Sequence, residues 1–313
     1  MTFLFPGQSS QFVGMGKDLY DNFPYIRELF EEVSDAIHFN ITKVIFNGPE
    51  EELNNTENTQ PAIMAVSIAV VKALEKECGK KLKDIGRYVM GHSLGEYSAL
   101  CAAGTLSVTD TAKLLKLRGQ SMQNAMPIGQ GTMLALLGVE MSQAEDIVKK
   151  VKDCEIANDN GGGQIVLSCL TKRVDEVGIV AKNIGIRKVI PLKVSAAFHS
   201  TFMQPAADKM QEAIENVKFS SPELPIISNV TASTITKVDD IKKALIAQMV
   251  QRVRWRESML YCNRQRIKEY VELGPGNTLT NLVKRTLKEQ VSLFNICDVK
   301  QLKDFISHMA NRG

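Results

Sequence analysis

At 313 residues the chain has room for one large domain, or for a main domain carrying an insert. Hydrophobic residues make up 44% and charged residues 23%, the ordinary usage of a soluble globular protein with a sizeable core. The 38 Lys and Arg outnumber the 35 Asp and Glu by only three. Bulk charge therefore gives no sign of a nucleic-acid partner, although a local basic patch can still attract an acidic one.

Six cysteines (Cys78, Cys101, Cys154, Cys169, Cys262, Cys297) form no CxxC pair and no metal-like cluster with the four histidines. Reduced thiols in a reducing compartment are expected. The opening residues lack a charged leader with a long apolar stretch, and nothing reaches membrane-spanning length. A cytoplasmic, soluble protein without a membrane partner is expected.

Taken in chain order, Thr2 to Phe5 is a short apolar run stopped by Pro6-Gly7, which predicts a buried strand entering a turn. Asp21 to Phe39 predicts a helix or helix pair, and Ala62 to Glu77 a long helix ending near Gly79. Arg87 to Met90 is a second strand, followed by Gly91-His92-Ser93-Leu94-Gly95 and a small-residue helix to Ala103. Thr109 to Met126 is a further helix, capped at Thr109 or Asp110. Such alternation points to an α/β fold with a parallel sheet. The texture then changes. Thr132 to Val139, Gln164 to Cys169 and Arg187 to Val194 read as strands, with helices at Ser142 to Val151 and Val174 to Asn183 between them. That order fits a small ferredoxin-like unit inserted in the larger domain. Strands resume at Pro225 to Ser228 and Tyr270 to Leu273.

Gly91-His92-Ser93-Leu94-Gly95 matches G-x-S-x-G, the strand-to-helix elbow that exposes a nucleophilic serine. Flanking glycines relieve the clashes of so sharp a turn, and the helix N-terminus offers amides to a developing oxyanion. An ordinary strand-to-helix turn is the plainer reading of five residues, but the strand before and the small-residue helix after favour the catalytic one. A serine needs a base. Of His38, His92, His199 and His308, the last lies near the chain end and His38 in a polar connection, while His92 adjoins the serine and points elsewhere. Elimination leaves His199, after the strand that closes the insert.

Arg118 sits on the wrong face of its helix. At about 100° per residue it lies among Leu114, Leu115, Met122, Ala125 and Met126, opposite Lys113, Lys116, Gln120 and Gln123. Burying a guanidinium without a partner is very costly, and arginine cannot shed its charge. Either an internal Asp or Glu answers it, or it receives a carboxylate from the substrate through two parallel hydrogen bonds.

With these residues in place the chain resembles the malonyl-CoA:acyl carrier protein transacylases of fatty acid and polyketide synthesis. The resemblance runs nearly end to end. It is carried by Phe5-Pro6-Gly7-Gln8 with Gln11, by Gly91-His92-Ser93-Leu94-Gly95-Glu96-Tyr97, by Leu117-Arg118-Gly119, and by Asn158 and Asn160 with Gly163-Gln164. Phe198-His199, Gln248, Trp255 and Gly274-Pro275-Gly276 complete it. It implies an α/β-hydrolase-like catalytic domain (1–125 and 196–313) with a ferredoxin-like insert (126–195) and an active site in the cleft between them. It implies Ser93 as nucleophile and His199 as general base and acid. Arg118 would anchor the malonyl carboxylate, and Gln8 and Leu94 would supply oxyanion-hole amides. Gln248 would orient the histidine in place of an acidic third member, and Asn160 would lie in the cleft. Phe198 resembles malonyl-selective members, where its bulk disfavours an α-methyl group. Ser9 departs from the family, replacing a glycine beside the oxyanion hole; if that position needs positive φ, the loop is strained. Asp159 and Gly161-Gly162 also depart, in a stretch that otherwise reads as a hairpin loop.

The implied reaction is a two-step exchange from malonyl-CoA to a holo acyl carrier protein through a malonyl-serine ester. The implied enzyme is a monomer that needs no metal or other cofactor, coenzyme A serving only as the substrate's carrier. Because such carriers are acidic, Lys113, Lys116, Arg187, Lys188, Arg252, Arg254 and Arg256 are candidates for a basic dock. The rival enzyme is an α/β-hydrolase-type esterase or thioesterase. It wants an acid before the histidine in chain order, and Asp146, Asp153, Asp159 and Asp175 all fall in the expected insert. A carrier-binding module with a relict site is the non-catalytic alternative.

Overall fold

The computed structural model describes residues 1–194, 196–288 and 290–311, so the expected boundary at 195 and the last two residues lie outside it. Among the described residues are ten strands: β1 (Thr2–Phe5), β2 (Tyr88–Gly91), β3 (Gly131–Leu137), β4 (Cys154–Gly161), β5 (Gln164–Leu170), β6 (Lys188–Pro191), β7 (Ile226–Ile227), β8 (Thr234–Ile235), β9 (Glu269–Leu273) and β10 (Ser292–Ile296). Six make one sheet in the order β10-β9-β1-β2-β7-β8, parallel throughout except for β8 at the edge. β1 and β2 are apolar runs buried along their whole length because helices cover both faces of the sheet.

The central helix is Thr56–Cys78, in which every residue from Asn58 to Val71 is buried. A helix that is apolar all round belongs in the middle of the core. It begins six residues before the expected Ala62, with Pro61 inside it. Side chains pin this extra stretch: Asn58 Nδ2 donates to the Glu52 carbonyl at 2.9 Å and the Thr59 hydroxyl donates to that of Leu53 at 2.5 Å. Gly79 ends the helix in the left-handed conformation, as expected. The helix Val108–Asn124 is capped by Ser107, whose hydroxyl accepts from the Asp110 amide, rather than by Thr109 or Asp110.

β3 to β6 form a second sheet, antiparallel, in the order β4-β5-β3-β6. With the helices Met141–Lys150 and Val174–Asn183 it follows the ferredoxin-like βαββαβ order and has its own core, including Leu134, Ile147, Leu167 and Val177. The fold is thus α/β with a parallel-rich body and a small antiparallel sheet. β4 was not expected. Its second half is Asn158-Asp159-Asn160-Gly161, residue types depleted in strands, and its pairing with β5 shifts register twice there. It is held from the other side as well, since Asn158 bridges Val253 of the larger unit. No helix among the described residues is long and apolar enough to cross a membrane.

Candidate active site

The turn between β2 and the helix Gly95–Ala102 is built on steric necessity. A Cβ on Gly95 would stand 2.2 Å from the Phe5 carbonyl oxygen of β1, so only glycine lets the turn pass. Ser93 at its apex has φ 54°, a conformation that costs about 1–3 kcal/mol and persists only when its surroundings hold it. Asn229 does the holding. Its Oδ1 accepts from the Ser93 amide at 2.8 Å and its Nδ2 donates to the Gly91 carbonyl at 2.7 Å.

The Ser93 hydroxyl lies 2.7 Å from His199 Nε2. His199, also at positive φ (54°), follows a buried segment tied to the small sheet, where the Ser168 hydroxyl of β5 donates to the Phe198 carbonyl. Its Nδ1 lies 2.8 Å from the backbone carbonyl of Gln248. A carbonyl can only accept, so Nδ1 carries the proton and Nε2 is left to receive one from serine. The resemblance implies that Gln248 orients the histidine; the contact comes from its main chain, and the side chain is turned to Arg118 and Glu96. Burial, reinforced by the Arg118 charge, pushes the His199 pKa down to about 3, so the ring is neutral.

Arg118 is 1% exposed. Its helix lies against the central one at Gly119, where a Cβ would come within 2.4 Å of Glu57 Cα. This brings Nη1 to Gln60 Oε1 at 2.8 Å, while Nη2 donates to Gln248 Oε1 at 2.9 Å and to the Ser93 hydroxyl at 3.2 Å. The Tyr97 ring lies 5.6 Å away. Among the described residues Arg118 has no ion pair, and its Nε has no partner. No internal Asp or Glu among the described residues pairs with this charge directly; its hydrogen bonds go to three neutral oxygens.

A cavity of about 230 Å³ opens over these groups. Gln8, Ser93, Arg118 and His199 line it from the larger unit, and Met133, Asn160 and Val166 from the small sheet. Phe198 lies on its wall. Asn160 Oδ1 lies 2.8 Å from Nε2 of His92, whose ring stands edge-on to Trp255. His92 is thus turned away from Ser93 Oγ, while His308 packs on Phe294 and Phe305 and His38 lies exposed in the turn after the helix Pro24–Ala36. Leu94 is buried behind the serine, and among the described residues the Gln8 and Leu94 amides donate to no protein acceptor. Ser9, beside Gln8, has φ 80°, so the departure from glycine does strain the loop. Asp159 lies on β4 and pairs with Arg256 at 2.8 Å, while Gly161 and Gly162 turn into β5 at positive φ.

Two polar residues of this site have no role assigned from the sequence: Asn229, in a loop, and Glu96, quoted within the elbow motif and buried as a carboxyl in the elbow helix. The second was legible as a charge in an otherwise uncharged helix. The basic candidates divide. Lys116 pairs with Glu57, Arg252 and Arg254 with Glu257, and Arg256 with Asp159. Lys113, Arg187 and Lys188 are exposed and have no ion pair among the described residues. No group of three His, Cys, Asp or Glu among the described residues is placed to hold a metal ion.

The chain matches the acyl transferase domain family over residues 2–306. It is 40% identical to the malonyl CoA-acyl carrier protein transacylase of Bacillus subtilis strain 168 over 292 residues, 91% of this chain and 90% of that one. It is similar to the crystal structure of the acyl-carrier-protein-S-malonyltransferase of Bartonella henselae, with 42% identity, a TM-score of 0.95 and 99% of each chain covered. A malonyl-transacylase solved in complex with its type II PKS acyl-carrier protein matches with 34% identity and a TM-score of 0.93, over 98% of this chain and 99% of that one. An end-to-end match of this kind, to proteins of the same architecture, identifies the chain as a member of the acyl transferase domain family, among its malonyl CoA-acyl carrier protein transacylases.

Proposed function

We propose that this chain moves a malonyl group from malonyl-CoA to the phosphopantetheine thiol of an acyl carrier protein by way of an ester on Ser93. The observation that carries the proposal is Arg118, a buried cation held only by neutral oxygens, with Nη2 3.2 Å from the serine hydroxyl. An acyl group esterified there places a terminal carboxylate where it supplies the directly bonded anion that the guanidinium lacks. An acetyl group leaves the charge without one, at a cost of a few kcal/mol in a desolvated site.

In the first step His199 Nε2 takes the Ser93 proton as Oγ attacks the thioester carbon. The amides of Gln8 and Leu94 receive the oxyanion, and the imidazolium returns the proton to the departing coenzyme A thiolate. The Gln248 carbonyl holds Nδ1–H and so keeps the ring in the required tautomer throughout. In the second step the carrier thiol gives its proton to His199, attacks the ester carbon and releases Ser93 by the reverse route. Asn160 fixes His92 at the cleft edge, and Phe198 narrows the space beside the acyl α-carbon. The division into a catalytic body (1–125 and 196–313) and an insert (126–195) is part of this reading, supported by the separate sheet and core of β3 to β6. The esterase alternative lacks its acid, since the partner of Nδ1 is a main-chain carbonyl and Asp153 and Asp159 are paired with Arg173 and Arg256.

Intact-mass measurement after brief mixing with malonyl-CoA tests the proposal. A malonyl adduct on Ser93 is expected, discharged by holo carrier protein and absent in Ser93→Ala. Free malonate released at the same rate without carrier would instead make the chain a hydrolase.

A further inference from the structure

Beneath the elbow lies a carboxyl group to which the two transfer steps assign no work. Glu96 is in the first turn of the helix Gly95–Ala102 and is 1% exposed. Each of its hydrogen-bond neighbours can donate. Gln248 Nε2 donates to Oε2 at 2.6 Å, the Asn229 amide lies 3.4 and 3.3 Å from the two oxygens, and Ser228 adds a side-chain hydrogen bond. An ionised carboxylate only accepts, whereas a glutamine in its place would turn an NH2 group against one of these donors.

These neighbours also hold the reacting groups. Asn229 secures the Ser93 amide and the Gly91 carbonyl. Gln248 donates from Nε2 to the Ser93 carbonyl at 3.0 Å, accepts from Arg118 at Oε1, and takes His199 Nδ1–H on its main-chain oxygen. A side-chain amide has two orientations. The flipped one would aim NH2 at the guanidinium and the carbonyl at the carboxylate, which is repulsive at both ends.

We propose that Glu96 is a positioning residue: as an ionised acceptor it sets the amide of Gln248, and through that amide keeps Arg118 directed at the Ser93 hydroxyl. The neutral amide between the two charges is what makes the arrangement useful. A direct Glu96–Arg118 pair would occupy the guanidinium and compete with an incoming carboxylate. At one remove the carboxylate compensates a buried positive charge and leaves the anion-binding edge open. The inference rests on the reading of Arg118 as the acyl carboxylate anchor.

Burial pushes the Glu96 carboxyl up to about 7, against the opposing pull of its hydrogen bonds and of Arg118. The charged and titratable groups facing it are Arg118, from the helix Val108–Asn124, and Tyr97 on its own helix; Gln248, Ser228 and Asn229 are neutral. As pH falls through about 7 the carboxylate takes a proton and loses both its charge and part of its accepting capacity. His199 stays neutral to about 3. The acid limb of serine loading therefore belongs to Glu96.

The test follows malonyl-Ser93 formation by rapid-quench mass spectrometry from about pH 5 to about pH 8, in the wild type, Glu96→Gln and Glu96→Asp, with circular dichroism confirming folding. The wild type is expected to lose loading with an apparent pKa near that of Glu96. Glu96→Gln is expected to lose that limb, load at a pH-independent rate roughly a hundredfold below the wild-type plateau, and prefer malonyl-CoA over acetyl-CoA roughly tenfold less. Glu96→Asp is expected to restore the limb. A Glu96→Gln enzyme with wild-type loading and an unmoved limb overturns the inference. So does a wild-type profile flat across that whole pH range, whatever the variants do. A wild type that forms no malonyl ester at all would sink the transfer reading itself, a distinguishable result.

Discussion

Arg118 and the arginines at positions 252, 254 and 256 carry the same side chain in two surroundings. Arg118 is closed off from solvent and meets only amide and hydroxyl oxygens. The other three are about a third exposed, and each already faces a carboxylate of Glu257 or Asp159. In the cleft the charge is left for a visitor, and burial makes its attraction strong. At the rim three partly exposed guanidinium groups face two carboxylates, buried Asp159 and half-buried Glu257, and the pairs to Glu257, in partial contact with water, contribute about 0–1 kcal/mol. Position in the fold, more than residue type, decides which arginine selects a ligand.

Arg118→Ala tests the cleft half of this comparison and carries the largest expected effect. Serine loading from malonyl-CoA is expected to fall about 10²–10³-fold, within the roughly 2–5 kcal/mol span for truncating one partner of a buried charge pair. Loading from acetyl-CoA is expected to change far less, because it never had that pairing. Competitive loading from an equimolar mixture reads the ratio directly, and an unchanged ratio would refute the anchor. Gln60→Leu sharpens the same point by removing the oxygen that Nη1 uses. A buried donor left unpaired costs about 1–3 kcal/mol, which urea unfolding should register. Malonyl loading is expected to drop only about tenfold, since Gln248 still holds Nη2.

Sequence and structure agree best where the signal is local. The apolar runs of β1 and β2, the glycine-flanked Ser93 and the misplaced Arg118 each follow from a few neighbouring residues, because burial on both faces or a tight turn leaves little choice. What was hidden depends on partners distant in the chain. β4 ends in Asn158-Asp159-Asn160-Gly161, which reads as a loop until β5 and Val253 clamp it from both sides. Gln248 was legible as a residue, but its use of the main-chain carbonyl depends on where the helix Val238–Gln248 ends beside His199. The service of Asn229 and Glu96 to a serine segment over a hundred residues from one of them follows only from the packing of β7 against β2. The first turn of the central helix was missed because a proline stood inside it and side-chain bonds, not propensity, secure it.

At the rim the effects are smaller. Glu257→Gln removes the carboxylate shared by Arg252 and Arg254, both partly solvated, and is expected to cost at most about 1 kcal/mol in urea unfolding and leave serine loading intact.

The smallest expected effect is that of reversing Arg252 and Arg254, two of the candidates for a basic carrier dock, to Glu together. Were both charges free, their reversal would repel an acidic carrier strongly. Because Glu257 already meets them, the field they project is weakened, and the apparent KM for holo carrier protein is expected to rise by less than about fivefold. The KM for malonyl-CoA should stay put, since neither side chain lines the cavity over Ser93. The effect should also shrink as salt is raised, because partly exposed charges are screened over about 10 Å at 0.1 M ionic strength. A rise well beyond tenfold would mean that the carrier displaces Glu257 and engages these arginines directly. The contrast with Arg118 would then be one of burial alone and no longer one of prior occupation.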